Sequence, residues 1–184
     1  PCGCSPPMPV EEFAIPKDRV AVVIGPNGGT KKLIEKETQT KITIDSKNGD
    51  VEIEAEDASH TLKASNIIRA MGRGFSPEHA MKLVDDEYYL EIINLTEFLG
   101  KHHKALQSKK GRIIGKEGSI RTKIEQDTHT FISVYGKTVG IIGKADNVEK
   151  ATQAITMLVK GAEHQTVLNY LRQSHSKEEE FEFR

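Results

Sequence analysis

Residues 24–42 read IGPNGGTKKLIEKETQTKI, and residues 114–132 read IGKEGSIRTKIEQDTHTFI. The two stretches lie 90 positions apart and share eight identical residues at that constant offset. Repetition of this kind in a chain of 184 residues indicates two copies of one small domain. The identical pairs are Ile24/Ile114, Gly25/Gly115, Gly28/Gly118, Ile34/Ile124, Glu35/Glu125, Thr38/Thr128, Thr40/Thr130 and Ile42/Ile132.

Each copy predicts the same order of elements, β-α-α-β-β-α. A short β-prone run opens the copy, and the helix after it ends at a Gly-x-x-Gly turn. In the second copy this first helix lies within Thr96–Ile114. The helix after the turn is predicted over about residues 29–37 and 119–127, from the spacing of apolar side chains. Two strands joined by a Gly-containing hairpin turn follow, and a long helix closes the copy.

The flanking segments complete the predicted domain plan. Ser76 as N-cap and Pro77 in the first turn predict a short helix between the two copies. A second amphipathic helix is predicted after the second copy, up to about Arg172, before a charged tail. The predicted segments are a flexible leader at 1–10, a first domain at 11–74, a linker helix at 75–87, a second domain at 88–161, and a C-terminal helix with charged tail at 162–184.

Composition narrows the class of protein. Hydrophobic residues make up 36% of the chain and charged residues 29%, which is typical of a folded globular protein. No stretch approaches the roughly 18 apolar residues that a membrane helix requires, and no secretory signal is recognisable. Cys2 and Cys4 lie close together but fall short of the roughly four ligands of a structural zinc site. We therefore expect a cytoplasmic protein without a membrane partner, metal or cofactor.

Charge is distributed unevenly along the chain. The formal net charge is −1, yet residues 100–172 hold 13 Lys and Arg against 6 acidic residues. Residues 76–99 have one Lys against six acidic residues. An excess of positive charge confined to one region indicates a polyanionic partner for that region. We therefore expect the second copy to bind nucleic acid more strongly than the first.

The element order and the two turns together resemble the KH family. The turns read Ile24-Gly25-Pro26-Asn27-Gly28 and Ile114-Gly115-Lys116-Glu117-Gly118. The resemblance implies an α+β fold of two tandem type I KH domains, each a three-stranded antiparallel sheet packed with three helices, plus a C-terminal helix. It also implies single-stranded RNA binding, in which the turn clamps the backbone of about four nucleotides. Glycines allow a phosphate strand to approach the main chain, and the following helix start offers N–H groups.

Six basic residues surround the second turn, with Glu117 opposing them, and bases are expected to lie on Ile114 and Ile132. In the first copy Pro26 removes one N–H donor, and the returning strand is acidic. The predicted RNA-binding residues are Lys109, Lys110, Arg112, Ile113, Ile114, Gly115, Lys116, Glu117, Gly118, Ser119, Arg121, Lys123 and Ile132 in the second copy, and Gly25, Pro26, Asn27, Gly28, Lys31 and Lys32 in the first.

A closer resemblance extends over about residues 10–172. The runs 72–80, 110–118 and 167–171 resemble the ribosome-assembly KH family called partner-of-Nob or Dim-two, in its archaeal form. That resemblance implies binding to the 3′ region of small-subunit ribosomal RNA. It further implies cooperation with a PIN-domain endonuclease and contact with a translation-initiation factor. Eukaryotic members tend to lack the first Gly-x-x-Gly, whereas this chain retains Gly25 and Gly28.

Enzymatic alternatives find little support in the sequence. A nucleotide-binding P-loop requires GxxxxGK followed by Ser or Thr, whereas here three residues separate Gly111 from Gly115 and Glu117 replaces the hydroxyl. The adjacent His102 and His103 would point in different directions on a helix, and residues 85–87 are an acidic run without a second carboxylate cluster. No catalytic residues are therefore predicted. Two binding alternatives stay open: a protein-interaction scaffold with empty KH grooves, and a translation or RNA-decay adaptor unrelated to the ribosome.

Overall fold

The computed structural model describes residues 9–99 and 103–182, and side chains as far as Ser174. The predicted leader with Cys2 and Cys4 falls almost wholly outside the described residues, as do His102 and the side chain of His103. The chain divides into two compact units, the first ending at Asp86 and the second beginning at Glu87. Two units of similar size agree with the two copies predicted from the repeat.

In the first unit, the described residues form one antiparallel sheet and four α-helices. Its strands pair in the order β1-β3-β2, with Phe13 opposite Val51 and Ile42 opposite Ile53. The elements are β1 (Val10–Ala14), α1 (Lys17–Ile24), α2 (Gly29–Thr38), β2 (Lys41–Ile44), β3 (Asp50–Glu54), α3 (Ala58–Gly72) and α4 (Pro77–Ala80).

The second unit repeats this topology, with strand order β4-β6-β5. Within the range Thr96–Ile114, where a helix is predicted, the described residues before 100 and after 102 are helical. The C-terminal helix continues ten residues past Arg172, where the prediction ended it. The elements are β4 (Tyr88–Asn94), α5 (Leu95–Leu99), α6 (His103–Ile114), α7 (Ser119–Thr128), β5 (Phe131–Tyr135), β6 (Thr138–Lys144), α8 (Ala145–Lys160) and α9 (His164–Glu182). The predicted fold of two β-α-α-β-β-α domains with a C-terminal helix is confirmed.

The core of the second unit lies between one face of its sheet and the helices. Ile124 of α7, Ile141 of β6 and Ile155 of α8 are completely buried in one cluster, which Val167 and Leu171 of α9 join. Burying an aliphatic side chain of this size contributes about 1.5–3 kcal/mol. The C-terminal helix is therefore part of this core, and not an appendage to it.

The segment predicted as a linker contributes to the core of the first unit. Phe75, Ala80 and Leu83 are buried, and α4 with the 3₁₀ turn that follows packs against α3. The predicted cap is present, because the Ser76 hydroxyl accepts a hydrogen bond from the His79 amide at 3.4 Å. The apolar residues of this segment give it a packing role that its position between two repeats does not reveal.

A repeated set of polar contacts ties the helix after the turn to the next strand. The Glu125 carboxylate accepts the Ile132 amide N–H at 2.7 Å. The Thr128 hydroxyl donates to the Ile124 carbonyl at 2.7 Å and lies 2.8 Å from the Thr130 hydroxyl, which must then act as the donor. We call Glu125, Thr128 and Thr130 the clasp. Glu35, Thr38 and Thr40 form the same clasp in the first unit, with distances of 2.7–2.9 Å.

Replacing Glu125 by Ala is expected to destabilise the second unit by about 1.5–3 kcal/mol, because the Ile132 amide loses a charged acceptor in a partly buried position. Hydrogen exchange of the β5 amides measures this unit separately from the first. Glu149→Ala, at an exposed position on α8, serves as the control and is expected to change stability by no more than about 0.5 kcal/mol. Equal effects of the two substitutions would contradict a structural role for the clasp.

Candidate nucleic-acid interface

The turn between α6 and α7 has the same backbone shape as the turn between α1 and α2. Gly115, Glu117 and Gly118 have φ values of 75°, 53° and 81°. The corresponding values at Gly25, Asn27 and Gly28 are 71°, 52° and 72°. Three left-handed residues among four reverse the chain between two helices. The sequence difference between the turns therefore leaves their geometry unchanged.

The two glycines of the second turn serve different purposes. A Cβ atom on Gly115 would lie 2.5 Å from Cγ1 of Ile120, so this glycine permits close packing inside the turn. A Cβ atom on Gly118 would meet nothing within 4 Å. The first turn repeats the arrangement: a Cβ on Gly25 would collide with Thr30, whereas Gly28 faces open space. Gly118 and Gly28 are therefore the positions at which another molecule can approach the main chain.

The start of α7 is suited to binding an anion. Its N-cap is Gly118, and no side chain of the described residues caps it. Its first turn, which is fully described, carries no acidic residue. The first N–H groups of a helix lack partners within the helix and form its positive end. Lys116 and Glu117 are exposed beside them, and Ser119 is exposed as the first residue of the helix.

The six predicted cations lie on three elements, which are α6, the turn and α7. Lys116 lies in the turn itself, while Arg121 and Lys123 follow on α7. Their nearest carboxylates are Glu125 at 3.8 Å and Asp127 at 2.7 Å. Both pairs are partly exposed and are worth only a few tenths of a kcal/mol, so a phosphate can compete for either cation.

Lys110, which lies on α6, reaches the turn between β5 and β6. Its ammonium donates to the Gly136 carbonyl in the β5–β6 turn at 3.0 Å. An ammonium group has three donors, so this bond leaves Lys110 able to contact a phosphate that lies between α6 and the hairpin. Lys109 lies elsewhere: its Nζ is 3.7 Å from the position that a Cβ on Gly161 would take.

Arg112 makes a structural contact within the second unit. Its Nη2 donates to the Ala162 carbonyl at 2.6 Å and to the Gly161 carbonyl at 3.3 Å. These carbonyls belong to the junction between α8 and α9. Planar guanidinium groups suit paired acceptors of this kind. Arg112 therefore supports the end of α6, and its predicted contact with RNA stays a prediction.

Two of the predicted aliphatic contacts belong to the core. Ile113 is completely buried and Ile132 is 4% exposed, so neither side chain can serve as the surface on which a base lies. Both lie at positions of α6 and β5 that face the core in the apolar pattern of these elements. Ile114, at the end of α6, and Val134, two residues beyond Ile132 on β5, are half-buried. Of the aliphatic residues predicted for base contact, Ile114 is the one that keeps accessible surface.

The first unit presents its turn beside a different surface. Pro26 and Asn27 are exposed, and Lys32 is exposed on α2, while Lys31 lies 3.7 Å from Glu35. The outer face of its sheet is acidic, with Glu12 directly opposite Glu52. Like charges at opposed positions destabilise a sheet and repel a polyanion.

Comparisons with known proteins bear on both units. A KH-domain family model matches residues 10–70, and a model described as a eukaryotic type KH domain (type I) matches residues 89–176. A KH domain-containing protein of Methanocaldococcus jannaschii is 44% identical over 172 residues, which are 91% of this chain and 75% of that protein. The crystal structure of Dim2p from Pyrococcus horikoshii is 48% identical, with a TM-score of 0.84 and coverage of 90% of this chain and 99% of that one. This chain belongs to the PNO1/Dim2 family of KH proteins.

Other members of the PNO1/Dim2 family carry more informative names. A second Pyrococcus horikoshii structure is a complex of Dim2p with a/eIF2α and rRNA; it is 47% identical, with a TM-score of 0.86 and coverage of 92% of this chain and 95% of that one. The pre-rRNA-processing protein PNO1 of Chaetomium thermophilum is 34% identical over 112 residues. That match covers 59% of this chain and 42% of the fungal protein, so the chain spans less than half the length of this eukaryotic relative. The family predicted from the sequence is confirmed.

Sequence reasoning missed one residue that contacts the predicted site from outside it. His164, the first residue of α9, lies with its Nε2 3.0 Å from the Arg112 carbonyl. Fifty-two residues separate the two in the chain, and no spacing or repeat signals the contact.

In the described parts of the chain there is no cluster of three or more His, Cys, Asp or Glu residues placed to bind a metal. None of the described helices has the length and apolarity needed to cross a bilayer.

Replacing Glu117 by Asn is expected to strengthen RNA binding about fivefold at low salt, because a carboxylate beside the proposed phosphate path costs about 1 kcal/mol. The second unit should also become more stable by roughly 0.5–1 kcal/mol, because Asn adopts a positive φ more readily than Glu. Fluorescence anisotropy with a labelled single-stranded RNA and thermal denaturation measure the two effects. The control Glu149→Gln removes one negative charge from α8 and is expected to change neither RNA affinity nor stability. An equal gain in affinity from this control would contradict a local effect at the turn.

Proposed function

We propose that this protein binds single-stranded RNA at the turn of the second unit and acts in the assembly of the small ribosomal subunit. The observation that carries the proposal is the open main chain at Gly118, placed at the uncapped start of α7 and flanked by Lys116. A sugar–phosphate backbone can lie against a residue without Cβ and accept hydrogen bonds from the helix N–H groups.

Single-stranded RNA fits this surface better than a duplex. A turn of four residues can hold about four nucleotides, and their unpaired bases are then free to contact Ile114 and the exposed edge of β5. Strand β5 is an edge strand of the sheet that the structure describes. Because Glu125 already accepts the Ile132 amide on this edge, we propose that bases contact the strand beyond Ile132. The bases of an A-form duplex are paired and stacked, and its deep major groove is too narrow for side chains to read, so the bases could not splay out onto Ile114.

The names of family members support a ribosomal target. One relative is named a pre-rRNA-processing protein, and Dim2p of Pyrococcus horikoshii is described in complex with rRNA and a/eIF2α. We propose that the 3′ region of small-subunit rRNA is the RNA bound, and that a translation-initiation factor and a PIN-domain endonuclease are protein partners. The relatives of 44% and 48% identity come from archaea, which lack a nucleus, and this supports a cytoplasmic site of action.

We further propose that the protein binds RNA without catalysing a reaction on it. Membership of a family of KH RNA-binding domains supports this division of labour. Apart from the Glu117 carboxylate, the groups gathered at the second turn are glycines, cations and helix N–H groups, which suit holding a phosphate backbone in place. Cleavage of the precursor would then fall to the partner nuclease.

The double substitution Lys116→Asp with Gly118→Asp is expected to weaken binding of single-stranded RNA roughly 100-fold or more, because it removes one cation and places two carboxylates on the phosphate path. The protein should remain folded, since Gly118 faces open space and Asp tolerates a left-handed conformation at a cost of about 1 kcal/mol. Anisotropy titrations over a range of salt concentrations, with circular dichroism to verify folding, measure the outcome. Unchanged affinity in the folded variant would refute the RNA role of the second turn.

The matched variant in the first unit is Pro26→Asp with Gly28→Asp, which places two carboxylates on a turn of the same shape. We expect it to weaken binding by roughly threefold or less, since the second unit is proposed to carry most of the affinity. Gly25 is left unchanged in this variant, because any Cβ there would collide with Thr30 and confuse folding with binding. A larger loss here than in the second unit would reverse the assignment of the two domains.

A protein-interaction scaffold is the second candidate function, favoured by the acidic outer face of the first sheet. Glu12 and Glu52 lie opposite each other there, an arrangement that suits a basic partner better than RNA. The two functions are compatible, since they use different units. Absence of RNA binding by the folded wild-type protein would favour the scaffold as the main role.

A further inference from the structure

The helix that leads into the second turn is held at its end by the C-terminal segment. The carbonyls of Gly161 and Ala162 accept the Arg112 guanidinium at 3.3 and 2.6 Å. In return, the Arg112 carbonyl lies 3.0 Å from Nε2 of His164. A carbonyl can only accept, so Nε2 of His164 is the donor. Arg112 is thus bonded to the α8–α9 junction twice. Its side chain donates to the carbonyls that follow α8, and its main-chain carbonyl accepts from the first residue of α9.

This contact lies close enough to the turn to affect the placement of the turn. Arg112 precedes Gly115 by three residues and belongs to the last turn of α6, where helix carbonyls are left to donors from outside the helix. Gly161 has a φ of 107° and ends α8, so its carbonyl leaves the helix axis toward α6. The junction is therefore bonded to the last helical turn before the RNA-binding residues begin.

Helix α9 also supports the other side of the turn. It packs against α7 and α8, and its Val167 and Leu171 are each 1% exposed in the core cluster that contains Ile113 and Ile124. Those two isoleucines belong to α6 and α7, the helices that flank the turn. One element therefore makes contact with both helices whose relative placement sets the direction of the α7 N–H groups.

The first unit has half of this arrangement. Arg19 of α1 donates to the carbonyls of Met71 and Phe75, both at 2.8 Å, and so joins α1 to the end of α3. Both units thus use an arginine on the helix before the turn. In the second unit a further hydrogen bond runs in the opposite direction, from His164 to the Arg112 carbonyl. His164 belongs to a helix that follows the repeated domain.

We propose that Arg112 and His164 form a latch through which α9 positions the Gly-x-x-Gly turn for RNA, although neither residue touches RNA. The inference rests on the proposed function of the second turn. A turn held in place before binding does not have to be ordered by the RNA, and affinity rises by the ordering cost that is avoided. Helix α9 is then a working part of the RNA-binding domain.

The latch is tested by comparing His164→Ala, which loses the donor, with His164→Gln, whose amide can donate to the same carbonyl. The probe is a fluorescein-labelled twelve-nucleotide RNA with the 3′-terminal sequence of small-subunit rRNA from the encoding organism. We expect roughly three- to tenfold weaker binding for His164→Ala and near wild-type binding for His164→Gln. Gln165→Ala, at an exposed neighbouring position on α9, is the control and should bind as the wild type does.

The salt dependence of affinity separates positioning from contact. Each phosphate contact to a single strand contributes about 0.7 to the slope of log K against log salt concentration. Arg112→Met and His164→Ala are therefore expected to weaken binding without changing this slope, whereas Lys116→Ala should lower it by about 0.7. A slope lowered by that amount in Arg112→Met would overturn the latch, because Arg112 would then be a phosphate contact.

Hydrogen exchange of the amides at the end of α6, among them the Gly115 N–H that donates to the Gly111 carbonyl at 2.8 Å, distinguishes a positioned turn from a merely less stable protein. The latch predicts faster exchange there in His164→Ala at temperatures where the protein stays folded, together with the loss of affinity. Wild-type affinity in folded His164→Ala would refute the latch and leave the RNA site intact. Failure of the wild type itself to bind the RNA would refute the proposed function, and the latch with it.

Discussion

The arrangement of each unit depends on a reversal of chain direction within four residues between two helices. Three of those four residues adopt positive φ, at Gly115, Glu117 and Gly118 in the second unit. Such a turn needs one glycine where side chains pack inside it, because Ile120 occupies the space of a Cβ on Gly115. The same geometry leaves Gly118 bare on the outside. The fold therefore creates the open main chain as a by-product of packing, and RNA binding can make use of it.

Most of the internal repeat is explained by this architecture. Glu125, Thr128 and Thr130 are identical to Glu35, Thr38 and Thr40 because each set forms the same clasp between a helix and a strand. The paired isoleucines at 34 and 124 are completely buried. Among the eight identities, the pair Gly28 and Gly118 is the one that faces open space. The internal repeat therefore predicts the fold more strongly than it predicts the function.

The sequence predicted the element order, the turns and the family, since these depend on local periodicity, glycine positions and a repeat within the chain. It did not predict the burial of Ile113 and Ile132, because an aliphatic residue beside a turn has the same local signature whether it faces a ligand or the core. The contacts of Arg112 could not be predicted either, since its partners lie about fifty residues away. The burial of Phe75, beside the predicted helix between the copies, depends on long-range contacts of the same kind. Long-range packing, and not local propensity, decided each of these.

The difference between the two units is smaller at the turns than the charge distribution along the chain suggests. Around the second turn and on α7, three cations face three carboxylates, so that the local charge is close to neutral. On α2 the lysines slightly outnumber the acids. What separates the units is the residue after the first glycine, Lys116 in one and Pro26 in the other, together with Lys110 at the hairpin and the acidic sheet of the first unit. Because a lysine in the turn lies beside the proposed phosphate path while sheet charges act through screening solvent, the identity of that one turn residue outweighs the regional net charge.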